Sequence, residues 1–159
     1  IARYLKKYIP GFENAYFDRV APFMGIRETR RLVGEYVLTE QDIFDCAKVE
    51  DSIAVSAYPV DLHHPVGGDC TLMWCPDCHD IPYRSLLPKK VDSLIVAGRC
   101  ISATHLALAS VRVMGPAMAT GEAAGKAAAL SVKHNVQLRD LDVAALQTAL
   151  REEGVYLRD

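Results

Sequence analysis

The residues whose types suggest chemistry crowd the middle of the chain. Cys70, Cys75, Cys78 and His79 form a C-x4-C-x2-CH arrangement. Thiolate and imidazole at such spacing can hold zinc, which would make this a non-catalytic metal-binding or interaction module. Only one CxxC pair is present, however, and the expectation is that no stoichiometric metal is held. Pro76-Asp77 keeps the sulfurs of Cys75 and Cys78 near each other, so a redox pair is a further reading, beside incidental thiols. His63 and His64 follow Tyr58-Pro59-Val60-Asp61-Leu62. A histidine there can accept the proton released when a hydride leaves a carbon bearing a hydroxyl or amine; it can equally be a loop histidine bonded to backbone. Arg27, Arg30 and Arg31 stand beside Glu28 and Glu35. They read either as a clamp for a substrate carboxylate or as a structural ion-pair network.

The elements that must position these groups are uneven. Ile1 to Arg19 reads as two short helical pieces around Pro10-Gly11. Leu32 to Leu38 reads as a strand. Thr39 followed by Asp42 is a capping-box-like start, so Glu40 to Ala47 reads as a short helix. Ser52 to Val60 reads as a strand, and Asp61 to Lys90, rich in Pro, Gly, Asp, Cys and His, as mostly loop. Ser93 to Ala97 is a continuous apolar run ending at Gly98, the pattern of a strand covered on both faces. Gly115-Pro116 opens a helix to about His134. Ala117, Gly121, Gly125 and Ala129 fall four apart along it, a small-residue stripe that permits close approach of another backbone. A last amphipathic helix runs from about Asp142 to Glu153, with Val143, Leu146, Ala149 and Leu150 on its buried face and Gly154 ending it.

Composition narrows the classes. The 159 residues are half hydrophobic, enough for one core or a core plus a lobe. A formal net charge of −2 with mixed signs gives no basic stripe for nucleic acid. No apolar run of about 18 residues appears, so no membrane-spanning helix is expected. Five cysteines, an odd number, argue against a disulfide framework and for a reducing compartment, hence a cytoplasmic location. The chain starts at Ile1 rather than methionine, which reads as a true N-terminus lying upstream.

Three blocks stand in order: Gly25-Ile26-Arg27-Glu28-Thr29-Arg30-Arg31 with Gly34-Glu35-Tyr36; Ile81 to Pro88; and Val96-Ala97-Gly98-Arg99-Cys100-Ile101-Ser102-Ala103-Thr104-His105, continuing into Arg112-Val113-Met114 and Gly121 to Gly125. Together, over roughly Phe17 to Gly154, they resemble the C-terminal half of the FAD-dependent oxidoreductase family. The resemblance implies an α/β fold, present here as an α+β fragment. Residues 1–90 would be a substrate or cap region. Residues 91–134 would be the closing strand, turn and helix of a Rossmann-like FAD-binding domain, and residues 135–159 a terminal amphipathic helix.

The resemblance also implies roles. Gly98, Arg99, Cys100, Ile101 and Ser102 correspond to the late FAD contact. Met114, Gly115, Pro116, Ala117 and Met118 correspond to the helix mouth at the flavin's pyrimidine end. There a helix N-terminus suits the negative charge that the reduced ring takes up. Many related flavoproteins carry an acid where Arg99 stands; an arginine suits the pyrophosphate better than a ribityl hydroxyl. The Tyr-Pro-x-Asp-x-His block is similar to the family's and points to His63 as a catalytic residue. Tyr83 and Arg84 are further catalytic candidates, with packing in a turn as the plain alternative, and Arg27 and Arg30 the substrate-anchoring ones. The family's Gly-x-Gly-x-x-Gly fingerprint is nowhere in these residues. The larger share of the FAD site is therefore expected from an upstream segment or a partner chain, with a homo-oligomer also open. The expected activity is hydride transfer between a small-molecule substrate and FAD, by the complete protein rather than by this chain alone.

Overall fold

The structure is a computed structural model that describes residues 1–64 and 68–158. Among these residues the architecture is α+β. Helices α1 (Ala2–Tyr8) and α2 (Glu40–Phe44) precede strands β1 (Ser52–Ser56), β2 (Val60–His63), β3 (Cys70–Met73) and β4 (His79–Pro82). Helices α3 (His105–Val111), α4 (Met114–His134) and α5 (Val143–Glu152) follow. The strands form two antiparallel pairs, β1 with β4 and β2 with β3. No described helix is long and apolar enough to cross a membrane.

Local chemistry explains where the helices begin. Thr39 and Asp42 close a reciprocal capping box at α2, each side chain satisfying the other's backbone N–H. The Asp42 carboxylate also accepts from the Tyr36 hydroxyl at 2.8 Å. Asp142 accepts from the N–H groups of Ala144 and Ala145 and so starts α5. Leu146 and Leu150, one turn apart, are fully enclosed. Each contributes roughly 1.5–3 kcal/mol by leaving water. Helix α4 ends at Asn135 in the left-handed region, with Lys133 and His134 in the last turn, where cations favour the dipole.

The core gathers residues from Leu38 to Leu157. Ile53, Val60 and Ile81 from the strands meet Leu38, Ile43, Leu86, Ile101 and Leu108. Helix α4 packs on β1 and α5, and α3 on β2. Two buried polar groups show how the core is satisfied: Ser85 donates to Pro82 O at 2.6 Å, and the Gly34 N–H donates to Ser102 Oγ at 3.1 Å across 68 positions. A Cβ on Gly34 would lie 2.6 Å from Ser102 Cβ, so that crossing requires glycine.

Several expectations from the sequence are corrected. Ser93 to Ala97 is not a strand: it makes one backbone–backbone bond to the rest of the chain, Val96 N–H to Leu86 O at 3.0 Å, and Leu94 is 44% exposed. A β-rich run becomes a strand only where a ladder partner exists, and among the described residues none pairs with this one in a ladder. Leu32 to Leu38 makes only isolated bridges, Gly34 with Pro88 and Leu38 with Ala103. Conversely, residues 61–90 are more ordered than their composition suggests. They hold most of β2 and all of β3 and β4, because Val60, Leu62, Met73 and Ile81 supply inward faces that outweigh the turn formers. The opening holds one helix rather than two. The Gly121, Gly125 and Ala129 stripe of α4 faces outward, while Thr120, Ala123, Ala124 and Ala127 face the core.

Candidate functional site

The β2–β3 hairpin sorts its side chains by alternation. Val60 pairs with Met73 and Leu62 with Thr71; this face turns toward α3 and the core. Asp61 opposite Leu72 and His63 opposite Cys70 occupy the other, outward face. On that face the Asp61 carboxylate receives the Cys70 thiol at 2.8 Å and meets His63 Nε2 at 3.3 Å. The thiol hydrogen bond, then the nearby histidine, holds the Asp61 carboxyl below its ordinary range, while the same bond to a carboxylate pushes the Cys70 thiol up.

The junction between α3 and α4 shares a groove with Asp61 and His63. Arg112, the cap residue of α3, is buried and donates Nη2 to the Asp61 carbonyl at 2.7 Å. Its Nη1 lies 3.8 Å from Glu28, which also binds His105 Nδ1 at 2.8 Å and Arg31 at 3.1 Å. Arg99 Nη1 donates to Ile26 O at 2.9 Å, and its Nε reaches Arg112 O at 3.4 Å. These bonds hold the 26–28 segment over a groove of about 410 Å³. Arg27, Arg99, Arg112, Asp61, His63 and Met114 line it. Three guanidinium groups against one lining carboxylate make the groove a place for an anion.

At the groove's edge is the mouth of α4. The first N–H groups of a helix have no intrahelical acceptor, and here no side chain caps them. A Cβ on Gly115 would meet nothing within 4 Å, and Met114 and Met118 are 79% and 73% exposed. Gly98, at φ +72, turns the chain beside this mouth, with its N–H donated to Thr120 Oγ1 at 3.0 Å.

The structure thus separates the residues singled out from the sequence. It brings together Arg27, His63, Arg99 and Met114, with Gly98 and Gly115 close by along the chain. Cys100 is exposed, its thiol donating to Ala97 O, but Ile101 and Ser102 are enclosed in the core. Pro116 is buried and Ala117 half-buried in the first turn of α4. Arg30 is exposed and lies outside the groove. Tyr83 and Arg84 lie elsewhere. The Tyr83 ring is 2% exposed and its hydroxyl donates to Leu138 O at 2.8 Å; burial pushes it up to about 12. Arg84 grips Asp51 through Nε and Nη2 at 2.9 and 3.1 Å, in a different cleft.

Nor does the C-x4-C-x2-CH arrangement converge. Cys70 is on the outer hairpin face, the Cys75 thiol donates to Tyr58 O at 3.7 Å, and His79 is enclosed on β4. Among the described residues, the one set of three metal-ligating side chains that meets is Asp61, His63 and Cys70. Sequence reasoning missed Asp61, Arg112 and Glu28. The i, i+2 spacing of Asp61 and His63 was a usable signal once a strand was assigned; the joining of Glu28 to Arg112 and His105 is purely tertiary.

Residues 1–150 match the profile of a family described as FAD dependent oxidoreductase. No curated protein and no solved structure matches the chain.

Proposed function

From the premise that the chain belongs to the FAD-dependent oxidoreductase family, we propose that it forms the substrate side of a flavin site and the wall over the ring's pyrimidine end. The observation that carries this reading is the cationic groove of Arg27, Arg99 and Arg112 opening beside the uncapped mouth of α4.

The residues suit such a cofactor on two grounds. The space at Gly115 is open, so a flat ring can reach the backbone donors of α4. The exposed flank of Met114 and Met118 gives an apolar edge to the same place. Met114 to Met118 would hold the ring edge, and Gly98 with Arg99 the chain leading to the phosphates. Ile101, Ser102 and Pro116 would support these from beneath rather than touch the cofactor. When bound, the flavin supplies a two-electron acceptor for a hydride. The chain's own part is to anchor and deprotonate. Arg27 holds a substrate anion. Asp61 fixes a proton on His63 Nε2, leaving Nδ1 to take the proton from a substrate hydroxyl or amine as the adjacent carbon gives up its hydride. Glu28 and Arg112 position this set. A dinucleotide-binding segment, on the same polypeptide or a partner, would cover the outward stripe of α4 and the open 93–97 run.

The test is flavin retention in the complete, flavin-loaded protein. Gly115→Leu should fold normally, because its Cβ meets open space, yet lose flavin or shift its reduction potential. Arg99→Ala should weaken flavin by roughly 1.5–3 kcal/mol. Lys133→Ala, at the far end of α4, should change nothing. Full flavin content and an unchanged potential in both of the first two variants would remove these segments from the cofactor site.

A further inference from the structure

The outer face of the β2–β3 hairpin does not end at the polar groups. Leu72 lies opposite Asp61 on that face, and Trp74 follows one residue past β3. With Tyr58, Val113 and Pro116 they line a second groove of about 630 Å³ whose wall is mostly apolar. Trp74 is 73% exposed and Leu72 49%. Tyr58 and Val113 line both grooves, so the cationic one and the apolar one are two ends of a single trough along the mouth of α4.

Large apolar side chains clustered beside a charged pocket mark a ligand with both characters. We infer that this trough takes a compact organic anion carrying a flat aromatic body, its carboxylate at Arg27 and its ring against Trp74 and Leu72. The composition of the second groove favours an aromatic acid over a sugar acid. Beyond the Tyr58 hydroxyl, Ser56 is its one hydroxyl side chain, and Ser56 is buried. A sugar's several hydroxyls would therefore lose water there without replacement partners. An aromatic ring gains contact with the indole face and leaves no polar group unpaired. The carboxylate cannot sit at the apolar end without a counter-charge, so the arginines fix the direction in which the ligand lies.

This inference rests on the proposed substrate role of the groove, and the experiment separates the two. In the complete flavin-loaded protein, mandelate, glycolate, benzyl alcohol and glucuronate are compared for two readouts: quenching of the Trp74 emission, assigned by difference against Trp74→Phe, and flavin reduction. Mandelate should quench Trp74 and outcompete the other three by about tenfold or more. That advantage, read in these variants by titration calorimetry because they lack the indole, should collapse in Trp74→Ala and survive in Trp74→Phe, and Arg27→Ala should weaken mandelate while sparing benzyl alcohol. Quenching by mandelate without flavin reduction would keep the binding site and sink the redox reading. Equal or tighter binding of glycolate or glucuronate, or a mandelate preference that persists in Trp74→Ala, would overturn the inference.

Discussion

His79 shows how much one residue can set. Its ring is fully enclosed on β4 and neither nitrogen has a hydrogen-bond partner among the described residues. Burial, with the Arg158 charge adding to it, brings its pKa down to about 4. Folded, it stays neutral where the unfolded chain would already bind a proton. Stability is therefore complete above the ordinary histidine range near 6.5 and falls as pH drops from there toward about 4, by a loss on the order of 3 kcal/mol. His79→Leu should remove this acid sensitivity while costing little near neutrality, because it deletes two unsatisfied polar atoms. Denaturant melts at about pH 7 and about pH 5 measure it: the gap between the two should shrink in the variant, and an unchanged gap would place the acid sensitivity elsewhere. At this scale the sequence was a poor guide. It grouped His79 with three cysteines by spacing, whereas the pairing of Ser56 with His79 across β1 and β4 turns the ring into the core. His63 is named only through the Tyr-Pro-x-Asp-x-His block, because a stretch that reads as loop hides the alternation that carries Asp61 and His63 to one face.

At the scale of elements, α4 carries two rows of small residues with opposite fates. Thr120, Ala123, Ala124 and Ala127 are buried, while Gly121 and Gly125 look outward, and a methyl group on either would meet nothing within 4 Å. An exposed glycine inside a helix costs roughly 0.5–1 kcal/mol relative to alanine. In this chain alone, Gly121→Ala and Gly125→Ala should each raise the unfolding free energy by about that amount. If the dinucleotide-binding segment packs its backbone against this row, the same variants should instead weaken the complete protein, since a methyl there would hold the two backbones apart. Thermal melts of the chain and of the complete protein compare the signs; stabilisation in both would leave the stripe without a partner. Helices α2, α4 and α5 were legible in advance because their signals, Thr39 with Asp42, the Gly115-Pro116 opening and the apolar face from Val143 to Leu150, act within a few turns. The strands were less so: whether 32–38 or 93–97 becomes a strand depends on a neighbour that local sequence does not name.

For the whole molecule, the same dependence makes residues 93–97 a gauge of completeness. Leu94 is largely open and one backbone bond, at Val96, ties the run to the rest. Amide exchange should be fast at Leu94, Ile95 and Ala97 in this chain alone and slow by orders of magnitude in the flavin-loaded protein, where a ladder partner would close the run. Strong protection in a proven monomer of the chain would contradict that. The α+β character and the family's blocks could be read from residue types, while the division into two antiparallel pairs, β2–β3 nested between β1 and β4, could not, because each inward face is recognised only once α3 and α4 are in place. Arg158 carries a different consequence. Its guanidinium binds Asp80 Oδ1 at 2.8 Å and the carbonyls of Cys46 and Cys78, joining residues up to 112 positions apart. Loop-closure entropy rises with the logarithm of that separation, so such a clasp gains nothing until the intervening chain has collapsed. We expect it to form after the folding barrier: loss of the Arg158 side chain should hasten unfolding and leave the refolding rate nearly unaltered, a φ-value close to zero in stopped-flow kinetics.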